Sequence, residues 1–253
     1  METASLPQSI VVLSGTAASL GLLHTLFGPD HYLPFVALAR AGRWSLSKTV
    51  VVTLLCGAAH VLSSVVLGLV GIAVGIAVFK LERIEAWRGD IAGWLLLAFG
   101  LAYLVWGVRQ AVRNRPHTHL HVHADGSVHS HEHVHAAEHS HVHAAPYAGD
   151  AAPPTGRGSA GRTTPWILFL IFVFGPCEPL IPMVMYPAAQ GSFFGVVLVT
   201  ALFGLTTLAT MTTIVVLACL GATRFSLGRF QRYGHALAGL LVVACGAAVL
   251  LGL

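Results

Sequence analysis

Two short stretches of this chain combine metal-ligating side chains with helix-breaking residues. Residues 27–31 read FGPDH and carry Asp30 and His31, and residues 174–178 read FGPCE and carry Cys177 and Glu178. Imidazole and thiolate groups suit Ni, Co, Zn, Cu and Fe, whereas Mg and Ca prefer oxygen ligands. Carboxylates would offset the charge of a divalent ion at low dielectric. These residue types therefore predict a site for a divalent transition metal.

The surrounding sequence makes these charged residues exceptional. Asp30 is the only charged residue between positions 3 and 39, and Glu178 is the only one between positions 163 and 223. A charged residue at the centre of a membrane helix costs about 2.5–3.5 kcal/mol on insertion scales and is a candidate for function. His24 precedes His31 by two helical turns, and His60 lies midway along the next apolar segment. We predict that these five residues and the cysteine of the second stretch form the site.

Each stretch also carries a Gly-Pro pair, Gly28-Pro29 in the first and Gly175-Pro176 in the second. Proline removes a backbone donor and disfavours helix at the preceding residue. Backbone groups freed at membrane depth are tolerated only where they are buried in protein or line a cavity. The two breaks therefore favour a binding site near the middle of the membrane, and the alternative is a proline kink that only shapes packing.

Composition identifies the class of protein that must position these residues. Hydrophobic residues make up 55% of the chain and charged residues 9%, against about 25% charged residues in soluble domains. Apolar runs of 18 or more residues are typical of transmembrane helices. We predict an all-α integral membrane protein with six such helices, at roughly 10–40 (broken), 49–79, 90–112, 164–188, 193–221 and 232–253.

The two halves of the chain resemble each other. A shift of 147 residues places Phe27–Pro29 on Phe174–Pro176. Segments 1–112 and 164–253 would then be three-helix repeats, joined by segment 113–163. Three is an odd number, so the second repeat would enter the membrane from the opposite side. Inverted repeats whose broken helices bind substrate near the midplane are common in secondary transporters.

The distribution of Lys and Arg predicts the orientation. Eleven of the 14 lie in the loops 40–48, 109–162 and 224–232, and the other three (Lys80, Arg83 and Arg88) fall in one predicted external loop. Cytoplasmic loops are enriched in Lys and Arg. We therefore expect a bacterial inner (plasma) membrane protein with both termini outside and segment 113–163 in the cytoplasm. The net charge of +4 then reflects the orientation of the protein in the membrane and its contact with the lipid bilayer. We therefore predict no nucleic-acid partner.

Segment 113–163 contains most of the histidines. Eleven of the 15 lie there, at His117, His119, His121, His123, His129, His131, His133, His135, His139, His141 and His143. Histidine-rich tracts indicate metal binding, and the absence of core-forming residues predicts disorder. We expect a weak, rapidly exchanging metal collector, although a solvated spacer is the alternative. A collector is most useful on the loading side, which favours export over import.

The stretch HTLFGPDH, from His24 to His31, resembles the His-x4-Asp-His signature of the nickel/cobalt transporter family. That family includes cobalt/nickel efflux proteins and membrane proteins linked to urease assembly. Five residues separate His24 from Asp30 here, where the signature has four. The resemblance implies that His24, Asp30 and His31 select and carry the metal. It implies a transporter for nickel or cobalt first, which is not an enzyme.

Other interpretations stay open at this point. The 3+3 plan also resembles the thiol/electron carriers of cytochrome c biogenesis, which place one cysteine in the first helix of each repeat. Cys177 fits one position, but Asp30 occupies the other. A non-transporting accessory protein that hands metal to a maturing enzyme is a third class. We expect no permanent cofactor. Assembly into a homo-oligomer and binding of a metallochaperone are both compatible with the sequence.

Overall fold

The computed structural model describes residues 6–113, 117–122, 128–133, 160–223 and 232–252. These residues form eight α-helices, a 3-10 turn and a two-stranded hairpin. In chain order they are α1 (Leu6–Phe27), the 3-10 turn (Pro29–His31), α2 (Leu33–Ala41), α3 (Leu46–Val74), α4 (Val78–Arg113), β1 (His117–Val122), β2 (Val128–His133), α5 (Ala160–Phe174), α6 (Leu180–Ala189), α7 (Phe193–Thr223) and α8 (Gly234–Leu250).

Three of these helices are long and apolar enough to cross a membrane. Helices α3, α4 and α7 contain 29, 36 and 31 residues. At ~1.5 Å per residue each exceeds the ~30 Å hydrocarbon core of a bilayer. Residues 11–27 and 29–41, bent by 82° at the first Gly-Pro break, make a fourth span if they are counted as one. The protein is therefore membrane-embedded, and α5, α6 and α8 are shorter apolar helices.

Helix α3 buries several polar residues and exposes large apolar ones. Thr53, His60 and Ser64 are buried against the rest of the bundle, whereas Leu55 and Val66 are more than half exposed. Hydrophobic side chains facing outward suit lipid, and polar side chains in membrane helices usually face the bundle interior. The helix therefore brings a polar face into the centre of an apolar bundle.

Helix α4 begins about three turns before the position that the sequence predicts. Five charged residues precede the expected start at position 90, and all of them belong to the helix: Lys80, Glu82, Arg83, Glu85 and Arg88. Residues 80–90 are therefore helical where the sequence predicted a loop. The hydropathy pattern placed the start of the predicted helix after these charged residues, yet Lys, Arg and Glu are good helix formers.

Helices α4 and α8 pack closely against each other. Gly93 contacts Leu250, and Gly107 contacts Ala236, so the two helices run antiparallel. A β-carbon added at Gly107 would lie 2.5 Å from the backbone nitrogen of Ala236. Glycines at such spacings let the backbones of membrane helices approach each other. Elsewhere α8 packs against α2, and α4 packs against α5.

The central segment contains an antiparallel hairpin. Strand β1 pairs with β2 so that His117 lies opposite His133, and His121 opposite His129. The disorder expected for segment 113–163 stays a prediction. A two-stranded hairpin on its own is at best marginally stable in water. Residues 114–116, 123–127 and 134–159 lie outside the described residues.

Candidate metal centre

Three predicted ligands meet inside the bundle. His24 lies near the end of α1, His60 midway along α3, and Cys177 in the turn between α5 and α6. One ligand atom from each of the three residues lies within 4.8 Å of the other two. The sulfur of Cys177 lies 3.9 Å from His24 Nε2. Ligands about 2.0–2.3 Å from a tetrahedral metal would be closer together, so small side-chain rotations would complete a site.

His31 is the fourth member of this cluster. Its ring centre lies 4.7 Å from that of His24 and 5.0 Å from that of His60. His31 is buried, and its Nε2 has no hydrogen-bond partner among the described residues; the same is true of both ring nitrogens of His60. Buried polar atoms without partners are uncommon in native proteins and call for an explanation. The unpaired nitrogens of His31 and His60 offer lone pairs to a metal ion.

Asp30 holds the His31 ring in a metal-binding orientation. His31 Nδ1 lies 3.2 Å from Asp30 Oδ1 and 3.1 Å from the Gly28 carbonyl oxygen. Both neighbours are acceptors, so Nδ1 carries the hydrogen and donates it. In a neutral imidazole the lone pair then lies on Nε2. Carboxylate–histidine–metal arrangements of this kind fix the tautomer and raise the basicity of the ligand.

The two Gly-Pro breaks allow the backbone to pack against the histidines. A β-carbon at Gly28 would lie 2.5 Å from His31 Nδ1, and one at Gly175 would lie 2.8 Å from His60 Nδ1. A side chain at either position would therefore displace an imidazole. The glycines supply this close approach, and the prolines that follow them end α1 and α5. Each break thus positions a different histidine of the cluster.

A small, mainly apolar cavity with three polar side chains in its wall adjoins the cluster. A cavity of about 30 Å³ is lined by Asp30, His31 and His60 on one side and by residues that include Gly93 and Pro176 on the other. This volume suits one or two water molecules. The carboxylate of Asp30 is about one-third exposed. The histidines therefore border a space in which an ion could exchange water for protein ligands.

Glu178 is not brought into the cluster. The residue is exposed, although its neighbour Cys177 is fully buried. The structure therefore places the predicted second carboxylate outside the group of His24, His60 and Cys177. Of the predicted loop ligands, those in β1 and β2 belong to the hairpin, whereas His123, His135, His139, His141 and His143 lie outside the described residues.

The other cysteines lie in different surroundings. Cys56 and Cys245 are buried within an apolar cluster that also includes Phe35 and Leu168, and Cys219 packs at its margin. All four cysteines are free thiols. The Cys177 sulfur instead lies beside an imidazole, that of His24. Its surroundings thus suit metal ligation better than exchange with a second thiol.

A buried ion pair beside the cluster escaped the sequence reasoning. Glu85 is 0% exposed, and its Oε1 lies 2.6 Å from a guanidinium nitrogen of Arg88. Residues 81, 85, 89, 92 and 96 are all buried on α4, at a spacing typical of one helical face. That periodicity, continued backwards from the apolar part of the helix, could have identified Glu85 as a buried residue.

No family model, curated protein or solved structure matches the chain.

Proposed function

We propose that this protein transports a divalent transition metal ion, nickel or cobalt first, across a bacterial inner membrane. The observation that carries the proposal is the group of half-buried His24 and buried His60 and Cys177, whose ligand atoms lie within 4.8 Å of one another. His31 would be a fourth ligand, and Asp30 would orient it. The ion is the transported substrate, held at the breaks of two helices, as in many transporters.

The charge of the cluster favours a divalent ion. The Asp30 carboxylate and a Cys177 thiolate would together supply two negative charges beside the neutral imidazoles. Glu85 and Arg88 form an ion pair and so cancel each other. An isolated charge in an apolar interior is costly unless it is compensated. A doubly charged cation would leave the cluster close to neutral, and nitrogen and sulfur ligands favour a transition metal over Mg or Ca.

Reciprocal contacts support the proposal of two inverted three-helix repeats. Gly57 of α3 contacts Leu208 of α7, and Gly204 contacts Val61. Adding 147 to 57 and 61 gives 204 and 208, so each contact is the repeat equivalent of the other. Two halves related by a twofold axis would produce such pairs. Under this proposal the broken pairs α1–α2 and α5–α6 each form one of six spans.

The cluster draws its ligands from both halves of the chain. His24, His31 and His60 belong to the first half, and Cys177 belongs to the second. A rocking motion of one half against the other would separate the sulfur from the imidazoles and weaken metal binding. Alternating access of this kind is typical of inverted-repeat transporters. With the predicted orientation, the histidine-rich segment would collect metal in the cytoplasm for export.

Metal flux into proteoliposomes tests this proposal. We expect liposomes that contain the full-length protein and an internal metal-sensitive dye to take up Co²⁺ and Ni²⁺ with saturable kinetics. Protein-free liposomes and liposomes with His24→Ala should show only leakage, because one metal ligand is missing. Tight Co²⁺ binding without flux would favour the accessory-protein interpretation, and indistinguishable flux for wild type and His24→Ala would refute the site.

A further inference from the structure

The Glu85–Arg88 ion pair joins three segments beside the metal cluster. The Arg88 guanidinium donates to Glu85 Oε1 at 2.6 Å, to Ser63 Oγ at 2.6 Å and to the Val173 carbonyl at 2.8 Å. It therefore ties α4 to α3 and to the last turn of α5. Val173 lies near the C-terminal end of α5, where helix carbonyls lack intrahelical partners. Arg88 supplies one of these partners.

The second oxygen of the carboxylate reaches the turn that carries the sulfur. Glu85 Oε2 accepts a hydrogen bond from the Cys177 backbone N–H at 3.1 Å and from Ser64 Oγ at 3.2 Å. The preceding residue, Pro176, has no N–H to offer. Arg88 also approaches the Gly175 carbonyl at 3.4 Å. The ion pair thus holds both ends of the 175–177 segment through its backbone groups.

We propose that Glu85 and Arg88 are positioning residues that hold the Cys177 sulfur in the metal cluster and so determine the preference for thiophilic ions. The inference rests on the proposed metal site. A buried ion pair is weak evidence for a role in stability alone, since apolar replacements are often neutral or stabilising. Here both partners hydrogen-bond to the backbone of one turn, and that turn delivers one ligand.

Glutamine cannot replace Glu85 in this arrangement. Both carboxylate oxygens act as acceptors, one toward Arg88 and the other toward the Cys177 N–H. A carboxamide has one acceptor oxygen and an NH₂ group that only donates. Glu85→Gln would therefore set two donors against each other, either at the guanidinium or at the Cys177 amide. In one orientation the Cys177 amide loses its acceptor, and in the other Arg88, which also reaches the Gly175 carbonyl, loses its carboxylate partner.

Thiolate-to-cobalt charge-transfer absorption of the Co²⁺-loaded, full-length protein tests this inference. Segment 113–163 contains no cysteine, so its histidines do not contribute to this signal. We expect Glu85→Gln to weaken the band and to lower Cd²⁺ affinity by about 10–100-fold, as outer-shell substitutions do. Ni²⁺ affinity should fall less, because the imidazoles stay in place. Glu82→Gln, at an exposed position one turn earlier, should leave the band and the Cd²⁺ affinity unchanged.

A double-mutant cycle separates positioning from general loss of structure. In a Cys177→Ser background, Glu85→Gln should have little further effect on Cd²⁺ affinity, because the ligand through which it acts is gone. Equal effects in both backgrounds, or a full charge-transfer band in Glu85→Gln, would overturn the inference. If Glu85→Gln does not yield folded protein, Ser64→Ala tests the inference in its place. We expect Ser64→Ala to weaken the charge-transfer band less than Glu85→Gln would. An unchanged band in Ser64→Ala would contradict the inference. Absence of the band in the wild type would instead count against the proposed metal site.

Discussion

We expect His60→Ala to reduce the affinity for Ni²⁺ and Co²⁺ by more than about 100-fold, since outer-shell changes alone cost about 10–100-fold. His60 is buried at the centre of the cluster, and neither of its ring nitrogens has a hydrogen-bond partner among the described residues. Its ring lies close to those of His24 and His31. Transport in proteoliposomes should fall to the leakage rate.

Isothermal titration calorimetry with the full-length protein measures this effect. The eleven histidines of segment 113–163 are replaced by asparagine in every sample. The matched control is His235→Ala. His235 lies in α8, where its Nδ1 is 2.8 Å from the Tyr103 hydroxyl, and it is outside the cluster. Equal affinities for His60→Ala and His235→Ala would show that the metal binds elsewhere.

We expect the second large effect from adding a methyl group at either helix break. Gly28→Ala should displace the His31 ring, and Gly175→Ala should displace the His60 ring, because the new β-carbon would lie within 3 Å of an imidazole nitrogen. Overpacking of this kind costs about 1–3 kcal/mol, which corresponds to about a 5–150-fold change in an equilibrium constant. Metal affinity and transport should both fall, whereas the variants should still insert into the membrane.

Two other glycines provide the comparison. A β-carbon at Gly15 of α1 or at Gly221 of α7 would meet nothing within 4 Å. Alanine is the better helix former, so Gly15→Ala and Gly221→Ala should transport at the wild-type rate. If Gly28→Ala also transports normally, the break does not position the cluster and the proline only shapes packing.

The sequence supports prediction of the helical membrane class and of the region in which the cluster lies. Apolar composition requires membrane helices, and polar residues within such helices tend to face the interior. His24, His31 and His60 are such residues. The pattern does not indicate which side of a turn faces inward. Cys177 and Glu178 are neighbours in sequence, yet one is buried and the other is exposed.

The ion pair next to the cluster shows a different limit of sequence reasoning. Hydropathy treats a run of charged residues as the end of a membrane segment, so Glu85 and Arg88 fell into a predicted loop. In the structure they belong to α4, and a hydrogen-bonding network satisfies both of them inside the protein. The partners come from α3 and from a turn about ninety residues further along the chain. Sequence spacing alone does not reveal such long-range partners.

An X-ray absorption spectrum of Co²⁺ bound to the full-length protein, with the eleven histidines of segment 113–163 replaced by asparagine, tests the central claim most directly. The proposed site predicts imidazole nitrogen neighbours and one sulfur about 2.3 Å from the metal, as in zinc–thiolate sites. The sulfur should disappear in Cys177→Ser, and the imidazole contribution should decrease in His60→Ala. A shell of oxygen and nitrogen that neither substitution changes would contradict the account.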